Sequence, residues 1–345
     1  QLSARVALLP VVATVVFLGV GSAWLQLPPH VPLFWSIAFT GLVGYYVVGL
    51  SWDELYEGVA NGLLMGLQAL LILFVIYALV ATWVGAGTIP GMMYYGLELL
   101  SPQVFLPVTA LLSAAVAFAI GSSWTTVGTL GVAFVGIGAG LGVPEPMTAG
   151  AILSGAYAGD KQSPFSDTTN LAAAVTNTDL YDHIRAMRAG TALAFGVALV
   201  GYAALGLRAG DAIPAGRVAE MQAALTGTYA VSPAVVLPLA VTFGLALAGS
   251  SALPALAAGV FAGVGTTTLL QGQSFTAAWE VFMNGTAPET GVEVVDGLLA
   301  TGGLTGSAWT ITVVVAALAL GGLLERTGVR AALAHFLSRR VTNVG

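Results

Sequence analysis

Apolar runs of roughly 18 to 20 residues recur along the chain, each long enough to cross a bilayer as a helix. They predict spans at Val6–Leu25, Val31–Leu50, Gly62–Val84, Phe105–Ile120, Gly128–Gly142, Arg188–Leu207, Val235–Ala248, Leu253–Leu270 and Trp309–Leu324. Period-two alternation, the mark of a membrane β-barrel, is absent. The run from Val6 is too long for a signal-peptide core and carries no clear cleavage site, so it is taken as a span. Other stretches break the pattern. Ile89–Leu100 opens with Thr88 and Pro90, a helix-start signature, but is only half a membrane deep. Gly150–Ala158 and Leu171–Val175 are short apolar pieces on either side of GDKQSPFSDTTN, residues 159–170. Interrupted pieces of this kind are how discontinuous transporter helices read in sequence.

Composition sharpens this picture. Hydrophobic residues make up 57% of the chain and charged residues 8%, whereas soluble domains carry about 25% charged residues. The fold class is therefore an all-α polytopic membrane protein. With no cysteine, thiolate catalysis and cysteine metal sites are excluded. The three histidines, His30, His183 and His335, form no HExxH pair, and no G-x-S-x-G elbow occurs, so no enzyme and no cofactor are expected. The net charge of −6 and the lack of a basic stripe speak against nucleic acid.

The chain also repeats itself. SWDELYEGVANG around Ser51 and SFTAAWEVFMNG around Ser274 share the serine, Glu57/Glu280, Asn61/Asn284 and Gly62/Gly285. Each stretch follows two apolar spans that start at a Leu-Pro pair (Leu9-Pro10, Leu237-Pro238). Each precedes a further span ending in glycine (Gly87, Gly328), with an insertion in the second copy. The expected organisation is a first transmembrane repeat over 1–207, a linker over 208–230 and an incomplete second repeat over 231–345. A chain that begins with Gln1 and stops partway through its second copy is expected to be a piece of a longer protein. The cluster Arg326, Arg330, Arg339 and Arg340 should be cytoplasmic. With Arg5 inside, three spans put Gly85–Gly87 outside, so the copies would be inverted, as in many secondary transporters. Arg208 and Arg217 lie against this assignment.

Candidate chemistry centres on GDKQSPFSDTTN. A carboxylate at membrane depth is costly and marks a functional site. Asp160 and Asp167 lie between small apolar flanks, beside Ser163, Ser166, Thr168, Thr169 and Asn170. Hard cations need several oxygen ligands, and a carboxylate exchanges a metal ion for a proton. Asp167 has a plainer reading as a helix N-cap. Lys161, the only lysine, is the expected charge partner. In GSSWTTVGTLG, residues 121–131, glycines and hydroxyls interrupt an apolar helix. Unwound backbone there, with Ser122, Ser123, Thr125 and Thr126, would make a cation half-site. Packing of small residues is the alternative. A related GSAWTIT recurs at 306–312. Glu57 and Glu280 read as interfacial structure, and Gly136, Gly138, Gly140 and Gly142 as packing contacts or a hinge.

These stretches resemble the NhaC-type Na+/H+ antiporters of the ion-transporter superfamily. The resemblance is carried by TWVGAGTIPGMMYYGLELLSP (82–102), GSSWTTVGTLG, GDKQSPFSDTTNLAAAVTNTDLYDHIRAM (159–187) and LTGSAWTITVVVAALALGGLLERTG (304–328). It implies Na+/H+ exchange by alternating access, an inverted-repeat fold and a prokaryotic plasma membrane. Family members usually continue through further helices and a later polar block. Relatives that exchange malate or lactate with Na+ and H+ keep an organic-anion exchanger open as an alternative, and an ion channel is the less favoured class. The partners expected are Na+, H+ and the bilayer, and nothing in the sequence specifies an oligomeric state.

Overall fold

The computed structural model describes residues 4–209 and 216–333, without the side chains of residues 4, 5, 167, 175 and 209. The residues Arg5, Arg339 and Arg340 invoked for orientation therefore lie outside it in whole or in part, as does His335. Fifteen α-helices run in order: α1 (Ala4–Leu18), α2 (His30–Val43), α3 (Trp52–Gly85), α4 (Thr88–Leu99), α5 (Pro102–Ile120), α6 (Ser123–Gly140), α7 (Glu145–Gln162), α8 (Asp167–Val175), α9 (Leu180–Ala209), α10 (Arg217–Thr228), α11 (Leu237–Leu247), α12 (Ala252–Leu270), α13 (Phe275–Asn284), α14 (Glu293–Leu299) and α15 (Gly303–Arg326). Among the described residues, seven helices are long and apolar enough to cross a membrane: Val6–Trp24, His30–Val48, Trp52–Gly85, Pro102–Ile120, Leu180–Arg208, Ala252–Leu270 and Gly303–Arg326.

Several boundaries depart from the apolar pattern. α3 starts ten residues before the expected Gly62, because S-W-D-E forms a capping box. The Glu54 N–H donates to Ser51 Oγ (3.2 Å), and the Ser51 N–H donates back to Glu54 Oε2 (2.8 Å). The expected span Val235–Ala248 is an 11-residue helix, α11, too short to cross alone. With its lead-in from Pro233 it meets α10 at 85°. The expected span Gly128–Gly142 is α6, which begins earlier, at Ser123, and is lined largely by buried small and hydroxyl side chains.

The described residues form two compact units. In the unit holding residues up to Leu73 and from Ala308 on, Gly58 and Gly62 of α3 lie against Gly322 of α15, and Gly66 lies against Leu318. Glycine-to-glycine contact brings the two backbones together as closely as helices can approach. Arg326 pairs there with Glu57 (3.0 Å) and Glu54 (3.5 Å).

The unit from Phe74 to Ser307 holds the polar breaks. Gly155 and Gly159 of α7 press onto the backbone of Ala110 and Ala114 in α5. Gly136, Gly138 and Gly140 of α6 face Met93, Phe105 with Thr148, and Leu97, which makes them the packing contacts expected. Gly142 turns the chain toward α7 at φ 72°. Fully buried Trp83 donates from Nε1 to the Gly259 carbonyl at 3.2 Å. The half-membrane helix expected at 89–100 is α4, whose Thr88 donates to the Val235 carbonyl at 2.6 Å.

Candidate functional site

Three helix ends meet around Asp160. α5 stops at Gly121, held at φ 75°, where a Cβ would collide with the backbone of Phe165. Only glycine lets the 163–166 turn lie so close over the α5–α6 junction. Ser122 then caps α6, its Oγ accepting from the Thr125 N–H (3.2 Å). The stretch expected to be unwound is thus helical from Ser123 onward, and the break is confined to Gly121 and Ser122. Likewise Asp160 and Lys161 stand in the last turn of α7, inside the helix, since the flanking AILSGAYAG propagates through them. The real break is Ser163–Ser166, and α8 follows it. Its N-cap is Ser166, whose Oγ accepts from the Thr169 N–H (3.3 Å). Asp167 is therefore the first helical residue and not the cap; its side chain lies outside the described residues.

Asp160 is buried, with 4% exposure. Ser123 Oγ donates to its Oδ2 at 3.4 Å and Thr168 Oγ1 to the same oxygen at 3.3 Å. Thr169 Oγ1 donates to the Asp160 carbonyl at 3.3 Å. These bonds are long beside the roughly 2.5–2.7 Å of a tight hydroxyl–carboxylate bond, so the carboxylate is loosely held. The N-termini of α6 and α8 point partial positive charge at it. Burying an ion nevertheless costs several kcal/mol unless it is paired. No cation pairs with Asp160 among the described residues, and Lys161, half-buried next to it, makes no ion pair with it. The carboxylate is thus buried, held by two long hydroxyl bonds and unpaired among the described residues.

The other expected oxygens divide into two sets. Ser123 and Thr168 border the carboxylate directly, Ser122 and Ser166 cap the helices that carry them, with Ser166 Oγ 3.1 Å from Thr168 Oγ1, and Thr169 holds the Asp160 main-chain carbonyl. Thr125 is buried in the first turn of α6, and its hydroxyl has no hydrogen-bond partner among the described residues, which is uncommon for a buried hydroxyl. Thr126, by contrast, donates to the Ser122 carbonyl (3.0 Å), and the Asn170 amide ties down the turn through the Pro164 and Ser166 carbonyls (2.9 and 2.8 Å). The related GSAWTIT lies within unbroken α15. Sequence reading missed Gly155 and Gly159, whose small-xxx-small spacing fixes α7, and with it Asp160, against α5.

A polytopic helical protein with a buried carboxylate between broken helix ends belongs to the class of secondary transporters. The Na+/H+ antiporter family model matches residues 2–160 and 155–345, and the chain belongs to that family. It is a multi-pass protein of the prokaryotic cell membrane. It is 54% identical to the arginine/ornithine antiporter ArcD of Halobacterium salinarum, over 98% of this chain and 70% of that protein. It is 35% identical to the Na+/H+ antiporter NhaC of Alkalihalophilus pseudofirmus, over 93% of this chain and 69% of that protein. The malate-2H+/Na+-lactate antiporter of Bacillus subtilis is 34% identical over 94% of this chain and 69% of its own. No solved structure matches.

Proposed function

We propose that the chain exchanges cations across the membrane by alternating access, that each cation meets Asp160 in turn, and that the cargo is a pair of basic amino acids, arginine and ornithine. The observation that carries the cargo is the 54% identity to the Halobacterium antiporter along 98% of the chain. Relatives named for other cargo stand at 32–35%. Both amino acids carry a cationic side chain, which suits a buried carboxylate with no ion-pair partner among the described residues. Lys161, the expected charge partner, makes no ion pair with Asp160 and has no part in this reading.

A second reading, Na+/H+ exchange, is favoured by the hydroxyl-rich surround. Asp160 and Asp167 would bring the charge, and Ser122, Ser123, Thr125, Thr126, Ser166, Thr168, Thr169 and Asn170 the neutral oxygens that a hard cation takes. An organic anion is less well served, because it would meet Asp160 as a like charge. The two-repeat organisation, 1–207 and 231–345 with a linker over 208–230, belongs to the same proposal. It is supported by α3 having 34 residues while α13 and α15 have 10 and 24, separated by the insertion in the second copy.

The test is counterflow in liposomes. Vesicles loaded with ornithine should take up labelled arginine without a Na+ gradient. Na+-driven proton movement with no arginine uptake would replace this reading by the second one.

A further inference from the structure

Seven buried hydroxyls among the described residues have no hydrogen-bond partner, and three of them line one seam. Thr109 and Ser113 stand on α5 and Thr148 on α7, all fully buried. The other four are scattered: Ser22 after α1, Thr40 in α2, Thr125 in α6 and Thr266 in α12. A helical serine or threonine can bond the carbonyl four residues back. Ser36, Thr82, Thr242 and Thr267 all do so. The three in the seam do not. A Cβ on Gly138 of α6 would meet Thr148 Oγ1 and Phe105 together, and one on Gly155 of α7 would lie 2.9 Å from Ser113 Cβ. These hydroxyls therefore point between α5, α6 and α7, where ordered water is the usual partner of a buried polar group.

The same contacts fix the register. Gly155 meets Ala110 and Ser113, and Gly159 meets Ala114 and Phe118, so α5 and α7 run parallel. Phe105 is level with Thr148. Phe105, Thr109, Ser113 and Ala117 follow at every fourth position of α5, one face of the helix. From Thr148 to Thr109 and from Thr109 to Ser113 the rise is one turn, about 6 Å. Asp160 lies five residues beyond Gly155, about 7 Å further on, and its side chain leans back toward the N-terminus of α7. Fully buried Ala117 and Ala156 border that last step. One water accepting from one hydroxyl and donating to the next spans about 5.5 Å. Asp160 is the only buried titratable group on these three helices: Glu145 and Tyr157 are exposed and Lys161 is half-buried.

We infer that Thr148, Thr109 and Ser113, bridged by single waters, relay protons between Asp160 and the end of α7 where Glu145 is exposed. The last water gives a proton to an Asp160 carboxylate oxygen and takes one from Ser113. Each oxygen behind it is refilled in the same way, and solvent refills Thr148. Only O–H bonds break and form, and one proton moves in, which leaves Asp160 neutral while no cation occupies it. This rests on Asp160 being the group that cations meet, whichever cation that is.

Two transport modes separate the relay from the cargo. Counterflow of arginine against ornithine fills Asp160 with a cation in each direction and needs no proton. Arginine leaving loaded liposomes for a medium without basic amino acids or Na+ must return Asp160 with a proton, and pyranine trapped in the lumen reads the acidification. Thr109→Val, Ser113→Ala and Thr148→Val should each slow that acidification about tenfold or more while counterflow stays at the wild-type rate. Thr109→Ser, which keeps the hydroxyl, should acidify as the wild type does. A wild type that counterflows without ever acidifying, variants that acidify at the wild-type rate, or variants that lose both modes together would overturn the relay and spare the cargo reading. A wild type that moves Na+ against protons but no arginine would overturn the cargo reading, and the same variants then test the relay with Na+ as the driving cation.

Discussion

Replacing Gly159 by alanine puts one methyl group where α7 has no room for it. The new Cβ would run into the Ala114 carbonyl and lie 2.8 Å from the Phe118 nitrogen, whereas ordinary contact begins near 3.4 Å. Both obstacles are backbone atoms of α5, so no side chain can turn aside. The helices must separate by at least about 0.6 Å, the shortfall at the Phe118 nitrogen, and by more at the Ala114 carbonyl, and overpacking of this kind costs about 1–3 kcal/mol. Asp160 is the next residue, and its 3.4 Å bond to Ser123 has no slack for such a shift. Misplacement by about 1 Å can cost a hundredfold in rate, so exchange should fall by about tenfold. Gly131→Ala is the matched control. Its Cβ has ordinary contacts, and removing a mid-helix glycine stabilises by about 0.5–1 kcal/mol. The assay pairs thermal unfolding in detergent, followed by tryptophan fluorescence, with counterflow in liposomes. If Gly159→Ala unfolds no earlier than Gly131→Ala and exchanges as fast, the argument that α5 positions Asp160 is wrong.

Gln271 ends α12 and binds two other elements. Its Nε2 donates to the Ala86 and Ala230 carbonyls (3.0 and 3.3 Å), and its Oε1 accepts from the Ala230 N–H (2.9 Å). Gln271→Ala should cost about 1–3 kcal/mol, and amide exchange should show lost protection at Ala230; unchanged protection there would refute the clamp. Asp296, in α14 and outside the membrane-spanning helices, accepts from the Thr290 N–H at 2.7 Å. Hydrogen bonds from Thr290 hold its carboxyl below the usual carboxylate range. Because the folded value is depressed, the stabilisation is present above the unfolded value of about 3.9 and is lost as pH falls through the folded one. Protection of the Thr290 amide should therefore be steady above about pH 5 and decline below about pH 4, while Asp296→Ala should lack it at every pH.

Much of this architecture was legible because membrane spans are written in composition, and a polar run such as 159–170 has no other place to hide in an apolar chain. Helix ends were harder. Ser51 to Glu54 and Ser166 to Thr169 show why: a cap is decided by two or three local bonds, and several serines and aspartates in a row compete for it. Asp160 read as part of the polar break between two short apolar pieces, because charge is rare inside membrane helices, yet the helix continues through it to Gln162. The convergence of α6, α7 and α8 depends on Gly121 meeting Phe165, residues 44 positions apart, and local sequence carries no sign of such a contact.

The central claim is that Asp160 is the group the exchanged cations meet. The most direct measurement is arginine/ornithine counterflow in liposomes by Asp160→Asn, a replacement of nearly the same shape that removes the charge and keeps the hydroxyl contacts of Ser123 and Thr168. Folding is checked on the same preparation by its unfolding temperature. The account predicts a folded protein whose exchange falls to background, with Asp160→Glu retaining part of it at altered affinity. A folded Asp160→Asn protein that exchanges at the wild-type rate would contradict it.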